Sequence, residues 1–132
     1  MNHMILLAED DDDDKEFIKL ALKQISSRHN VHITNNGQEA IDYLSHLHGE
    51  NELPCLIVLD LNMPVLDGVQ TLEKLNGVQQ FQKIPKVIFT TSDSDMDKDR
   101  CLSRGATDYI VKPSNMTEIV KSVEKMLQYC NT

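Results

Sequence analysis

The chain has 132 residues, 40% of them hydrophobic and 26% charged, with a formal net charge of -8 at neutral pH. That length suits one domain around a single core, and the acidic balance argues against nucleic-acid binding, which needs clustered Lys and Arg. No apolar run approaches the roughly 20 residues of a membrane helix, and Met1-Asn-His-Met carries no Lys or Arg to open a signal peptide, so a cytoplasmic protein with no membrane contact is expected.

The first element is a strand, Met4–Ala8, whose apolar run stops at Glu9-Asp10. Asp11 to Asp14 then stand at the start of a helix, where the macrodipole favours negative charge; they are expected to cap it and solvate it. (Asp11-Asp-Asp-Asp-Lys15 also reproduces a protease-cleavage tag, but it falls between a strand and the helix that strand requires.) Phe17, Ile18, Ala21, Leu22 and Ile25 form the apolar stripe of that first helix. A second strand covers residues 31–34, and Ala40, Ile41, Leu44 and Leu47 mark a second helix.

The third strand, residues 55–59, is apolar at every position, as in a parallel strand covered on both faces. Asp60 ends it, and Pro64 and Gly68 break the chain into a loop. Val69, Leu72 and Leu75 mark the third helix. The fourth strand, Lys86–Thr90, ends in Thr90-Thr91-Ser92. A weaker helical pattern over 96–104 is stopped by Gly105. The fifth strand, Asp108–Val111, ends in Lys112-Pro113, and Ile119, Val120, Val123, Met126 and Leu127 mark the last helix. The connections at 48–54 and 76–85 are longer than such a chain requires.

Three cysteines, Cys55, Cys101 and Cys130, lack metal-type spacing and read as reduced thiols, with Cys55 in the core. His29, His32, His46 and His48 read as exposed, since His46 and His48 cannot share a helix face. There is no repeat or linker. One domain over 1–132 is expected, with its core at about 4–128 and no output module.

Strict alternation of strand and helix implies a doubly wound α/β fold, a five-stranded parallel sheet with helices on both faces. Ligands and chemistry gather outside the carboxyl ends of such strands. Those ends carry Glu9, Asp10 and Asp60, which would repel one another without a cation between them. An all-oxygen set suits Mg²⁺ or Mn²⁺. Thr90 adds a hydroxyl and Lys112 an ammonium, a set suited to phosphoryl transfer onto a carboxylate.

In this order and at these strand ends, Glu9-Asp10, Asp60 with Met63-Pro64 and Asp67-Gly68, Thr90, Gly105-Ala106, and Tyr109 with Lys112-Pro113 resemble the response-regulator receiver family, CheY-like. The resemblance runs from about Met4 to Gln128. It implies that Asp60 is the phosphoacceptor for a sensor histidine kinase, and that Glu9, Asp10, Asp60 and the backbone carbonyl of Asn62 hold Mg²⁺. It implies that Lys112 pairs with Asp60 and then with the phosphoryl group. Thr90 and Tyr109 would act as the switch, and Asn62 and Ser92 would tune dephosphorylation. The fourth helix, fifth strand and fifth helix would form the face for a downstream protein or phosphotransfer partner and for a homodimer. The long connections and the Asp-Leu-Asn-Met-Pro turn are similar to stand-alone receivers serving phytochrome-type kinases. Glu9, where Asp is commoner, and Ser114, where an aromatic is frequent, are departures.

An aspartyl-nucleophile phosphatase would want a second acid at position 62, which is Asn62. A flavodoxin-like carrier would want a glycine- and hydroxyl-rich loop where Glu9 to Asp14 stand. A receiver-shaped module that is never phosphorylated is the remaining alternative. The expectation is a phosphorylated signalling protein with no turnover activity of its own.

Overall fold

In the computed structural model, which describes residues 2–130, five parallel strands run in the order β2-β1-β3-β4-β5. They are β1 (Met4–Ala8), β2 (Asn30–Thr34), β3 (Leu56–Leu59), β4 (Lys86–Thr90) and β5 (Asp108–Val111). The helices between and after them are α1 (Asp12–Ile25), α2 (Gly37–Ser45), α3 (Gly68–Asn76), α4 (Asp95–Ser103) and α5 (Met116–Cys130). The two long connections each hold a 3₁₀ turn, at Glu50–Glu52 and Gln79–Phe81. Among the described residues no helix is long and apolar enough to cross a membrane.

The central strands β1, β3 and β4 are buried along their whole length, because helices cover both of their faces. The two-residue period of a strand divides the core. Leu6, Ala8, Ile57, Leu59 and Ile88 meet Ala40, Leu44, Leu72, Leu75 and Cys101 on the side of α2, α3 and α4. Ile5, Leu7, Leu56, Val58 and Phe89 meet Ile18, Leu22, Val123 and Met126 on the side of α1 and α5. The stripes read from the sequence are the buried faces, except that Phe17 is exposed on α1 and Leu47 packs from just beyond α2.

Each of the first four helices starts on a side-chain cap. Asp11, Asn36, Asp67 and Ser94 accept a hydrogen bond from the backbone N–H three residues on, filling donors a helix leaves orphaned. At Asp67 the cap is reciprocal: Asp67 N–H donates to Gln70 Oε1 at 3.0 Å. Gly105, at φ 97°, ends α4 in the left-handed region that a side chain rarely adopts.

The cysteine and histidine readings need correction. Cys55, at the start of β3, and Cys130, at the end of α5, are paired as a disulfide, with Cα atoms 4.8 Å apart. The pairing escapes sequence reasoning because 75 residues separate the two and only the packing of α5 on the sheet joins them. Cys101 alone is a free thiol, and burial pushes it up to about 11, so it stays unreactive at neutral pH. His32, His46 and His48 are exposed as expected, but His29 is half-buried at the amino edge of the sheet.

Candidate functional site

Parallel pairing sets the site. Ala8 lies opposite Leu59 in the β1–β3 register, so the next residues, Glu9 and Asp60, leave the sheet side by side. Asp60 N–H donates to Ala8 O at 3.0 Å and Glu9 N–H to Thr34 O at 3.0 Å, which ties both turns to neighbouring strands. This is the crevice between β1 and β3, where the strand order reverses and open α/β sheets place their ligands.

Carboxylate oxygens of Glu9, Asp10 and Asp60 all lie within 4.8 Å of one another. Glu9 is 1% exposed and Asp60 8%, whereas Asp10 is open to solvent. Asp60 Oδ1 accepts from Leu61 N–H at 2.7 Å, leaving Oδ2 facing Lys112 Nζ at 3.4 Å. Lys112 is delivered by β5, whose Val111 pairs with Thr90, and Lys112 N–H donates to Thr90 O at 2.6 Å. The Lys112-Pro113 bond is trans.

Lys112 pairs with Asp60, as the resemblance implies, but Asp60 is the most distant of its three carboxylate partners. The lysine Nζ donates at 2.7 Å to Glu9 Oε1 and at 2.7 Å to Asp14 Oδ2, both closer than Asp60. Asp14 is the contact of this crevice that sequence reasoning missed. In a run of five aspartates, Asp10 to Asp14, no periodicity marks which one faces inward; the first turn of α1, seated over the end of β1, singles out the last.

The charges are unbalanced. Four carboxylates (Glu9, Asp10, Asp14 and Asp60) surround one ammonium. Burial pushes the Glu9 carboxyl up to about 7, the Lys112 bond works against this, and the charge of Asp60 adds to the rise. Burial alone would lower the Lys112 ammonium, but hydrogen bonds to Asp14 and Glu9 and the charge of Asp60 carry it above the usual lysine range. A site whose buried glutamate tends toward holding a proton is short of positive charge. The all-oxygen donor set of Glu9, Asp10 and Asp60 therefore fits a hard divalent cation.

Thr90 is fully buried, and its Oγ1 accepts from Ser92 N–H at 3.3 Å. Ser92 Oγ donates to Asp97 Oδ2 at 2.7 Å, and Tyr109, its ring buried, donates its hydroxyl to Ser92 O at 2.8 Å. The β4–α4 loop is thus tied at once to α4 and β5. On the other side, Asn62 is exposed two residues after Asp60. Leu66 N–H donates to Pro64 O at 2.7 Å, closing a three-residue turn around Val65 at φ 68°. A β-branched residue there is strained, at a cost of about 1–2 kcal/mol.

The structure brings Glu9, Asp10, Asp60 and Lys112 together, with Thr90 on the adjoining strand end and Tyr109 linked to it through Ser92. A family model described as "Response regulator receiver domain" matches residues 5–124. A probable methanogenesis regulatory protein, FilR2 of Methanothrix harundinacea, is 32% identical over 127 residues, 96% of this chain and 82% of that protein. The chain spans about half the length (49%) of other curated relatives, the transcriptional regulatory protein SrrA of Staphylococcus aureus strains. Among solved structures, the phosphorylated cyanobacterial phytochrome response regulator RcpA superposes with a TM-score of 0.88 at 29% identity, over 100% of this chain and 96% of that one. The Mn²⁺-bound form of response regulator Rcp1 gives 0.81 at 31%, over 93% and 90%.

Proposed function

The chain belongs to the response regulator receiver family of two-component signalling, and on that premise we propose that Asp60 accepts a phosphoryl group from the phosphohistidine of a sensor histidine kinase. The observation that carries this reading is the crevice itself: Asp60 Oδ2, nearly buried, faces Lys112 Nζ at 3.4 Å beside the carboxylates of Glu9 and Asp10.

Asp60 Oδ2 attacks phosphorus as the bond from phosphorus to the imidazole nitrogen breaks, and the imidazole leaves with that electron pair. The product is an acyl phosphate. Glu9, Asp10, Asp60 and the Asn62 carbonyl would hold Mg²⁺ or Mn²⁺, which when bound neutralises charge on the phosphoryl oxygens; the Mn²⁺ in Rcp1 supports this. Lys112, released from Glu9 and Asp14, contributes the second positive charge. The Thr90 hydroxyl donates to the phosphoryl group, pulling on the loop that Ser92 links to Tyr109. Asn62 and Ser92 flank the site and bear on how fast water removes the group.

The output is a shift between two arrangements of the face formed by α4, β5 and α5. Only Cys101 of α4 is buried, so this helix is the most weakly anchored of the five. A downstream protein, a phosphotransfer protein or a second copy of the chain would read that face. The similarity to RcpA supports a phytochrome-type kinase as donor. We read this chain as a receiver unit that signals in the cytoplasm, and not as a turnover enzyme.

The test is intact mass after incubation with acetyl phosphate, with and without Mg²⁺, for the wild type and Asp60→Asn. A Mg²⁺-dependent phosphoryl adduct on the wild type alone is expected. No adduct, or an equal one on the variant, would leave a receiver-shaped module that is not phosphorylated at Asp60.

A further inference from the structure

At the opposite pole of the molecule, three soft ligands converge. His29 in the α1–β2 turn, Cys55 at the start of β3 and Cys130 at the end of α5 bring a ring nitrogen and two sulfurs within 4.8 Å of one another. Cys55 and Cys130 are 5% and 4% exposed. His29 Nε2 is the buried side-chain polar atom that has no hydrogen-bond partner among the described residues. An unpartnered buried nitrogen is uncommon and calls for an explanation.

The other face of that ring is organised. His29 Nδ1 lies 2.6 Å from Ser26 Oγ. Ser26 Oγ also accepts from Arg28 N–H at 3.3 Å and His29 N–H at 3.1 Å, which leaves its hydroxyl hydrogen for Nδ1; on metal binding the ring proton shifts to Nδ1 and the serine turns to accept it, freeing the Nε2 lone pair as at other histidine metal centres. The His3 ring stands edge-on to His29, centroids 5.2 Å apart, and is exposed, which makes it a candidate for a fourth ligand. Cys55 also lines an open cavity of about 240 Å³ with Asn2 and Pro54, which gives a route in.

We propose that, with its disulfide reduced, this pole is a zinc-type metal site ligated by Cys55, Cys130 and His29, with His3 or water in the fourth position. A cellular dithiol supplies the reducing electrons: its two thiols become a disulfide, and Cys55 and Cys130 each gain one hydrogen. Metal binding then displaces two protons as both sulfurs ligate as thiolates. Tetrahedral ligation sets the sulfurs roughly 3.8 Å apart, so reduction must be followed by side-chain rotation about Cα atoms that stand 4.8 Å apart. The disulfide is the oxidised, metal-free alternative. Bound metal would fasten the end of α5 to β3 and the α1–β2 turn. The site lies about five strand residues, roughly 16 Å, from Asp60, so its chemistry is separable from phosphoryl transfer.

The test reduces the wild type with a phosphine, removes the reductant and titrates Co²⁺, then Zn²⁺, using a chromophoric chelator as competitor. One equivalent of Co²⁺ with a thiolate-to-metal charge-transfer band and tetrahedral d–d bands is expected, displaced by Zn²⁺ and absent from oxidised protein. Cys130→Ser and His29→Gln should each weaken Zn²⁺ on the order of a hundredfold, and Ser26→Ala about tenfold through the lost Nδ1 partner. All three should still take a phosphoryl group at Asp60, which shows that they are folded. The proposal is overturned if the reduced wild type gives no thiolate band. It is equally overturned if binding survives Cys130→Ser but is lost in Asp10→Asn, which would place the ion among the carboxylates. His29→Gln keeps both thiols, so unchanged affinity in that variant also overturns it, even where Cys130→Ser fails to fold.

Discussion

Lys86 carries a charge into the core at the start of β4, where it is 1% exposed. Its Nζ donates to Asn76 Oδ1 at 3.0 Å, Phe81 O at 2.6 Å and Gln82 O at 3.2 Å, so the ammonium caps the 3₁₀ turn of the 76–85 connection. Lys86→Met takes a donor from three oxygens and leaves Phe81 O with only Ile84 N–H at 3.3 Å, and we expect a loss of about 1–3 kcal/mol in urea unfolding at neutral pH. Burial lowers the Lys86 ammonium from 10.5 to about 8. Between those values the unfolded chain holds a proton that the folded one has released, so folding is favoured as pH rises. The wild type should therefore gain stability relative to Lys86→Met from about pH 8 to pH 10.5. Parallel pH profiles of the two proteins would refute this.

At the scale of elements, α3 must approach the turn after β3 very closely. A Cβ on Gly68 would stand 2.7 Å from Asp60 O and 2.9 Å from Leu61 Cα. Both are backbone atoms of the turn that carries Asp60, and Gly68 N–H donates to Leu61 O at 2.9 Å. Gly68→Ala must push α3 off that turn. Overpacking of this kind costs about 1–3 kcal/mol, and a displaced Asp60 carboxylate should slow phosphorylation by acetyl phosphate about tenfold or more. A urea melt and a rate measurement check the two effects separately. Were stability to fall while the rate held, the close packing of α3 would serve the core alone.

Across the whole molecule, the Cys55–Cys130 disulfide closes the longest covalent loop, joining β3 to α5 over a separation of 75 residues. In the chain-entropy account such a loop is worth about 4 kcal/mol. Reducing the wild type in the presence of a chelator should lower its unfolding free energy by an amount of that order, followed by urea titration of the two forms. A reduced protein as stable as the oxidised one would show that packing of α5 alone holds that pole. The same reduction should leave the Asp60 crevice unchanged, since the two lie at opposite ends of β3.

Pattern alone settled the fold and the composition of the crevice. Apolar runs of strand length, helical stripes and the residues that end them are local properties, and parallel topology then brings every carboxyl end to one edge. Glu9, Asp10, Asp60, Thr90 and Lys112 were legible for that reason. What the tertiary structure decided was contact between residues whose sequence carries no period. Asp14 sits in an unbroken acid run, yet only the seating of α1 turns it to Lys112. Lys86 looked like the ordinary start of a strand, and only the 76–85 connection folding over it makes it core. Cys55, Cys130 and His29 are far apart in the chain and lack any spacing rule, so the sequence left them as two thiols and an exposed ring. Burial and long-range proximity are sums over the whole packed molecule, and no local stretch of sequence contains them.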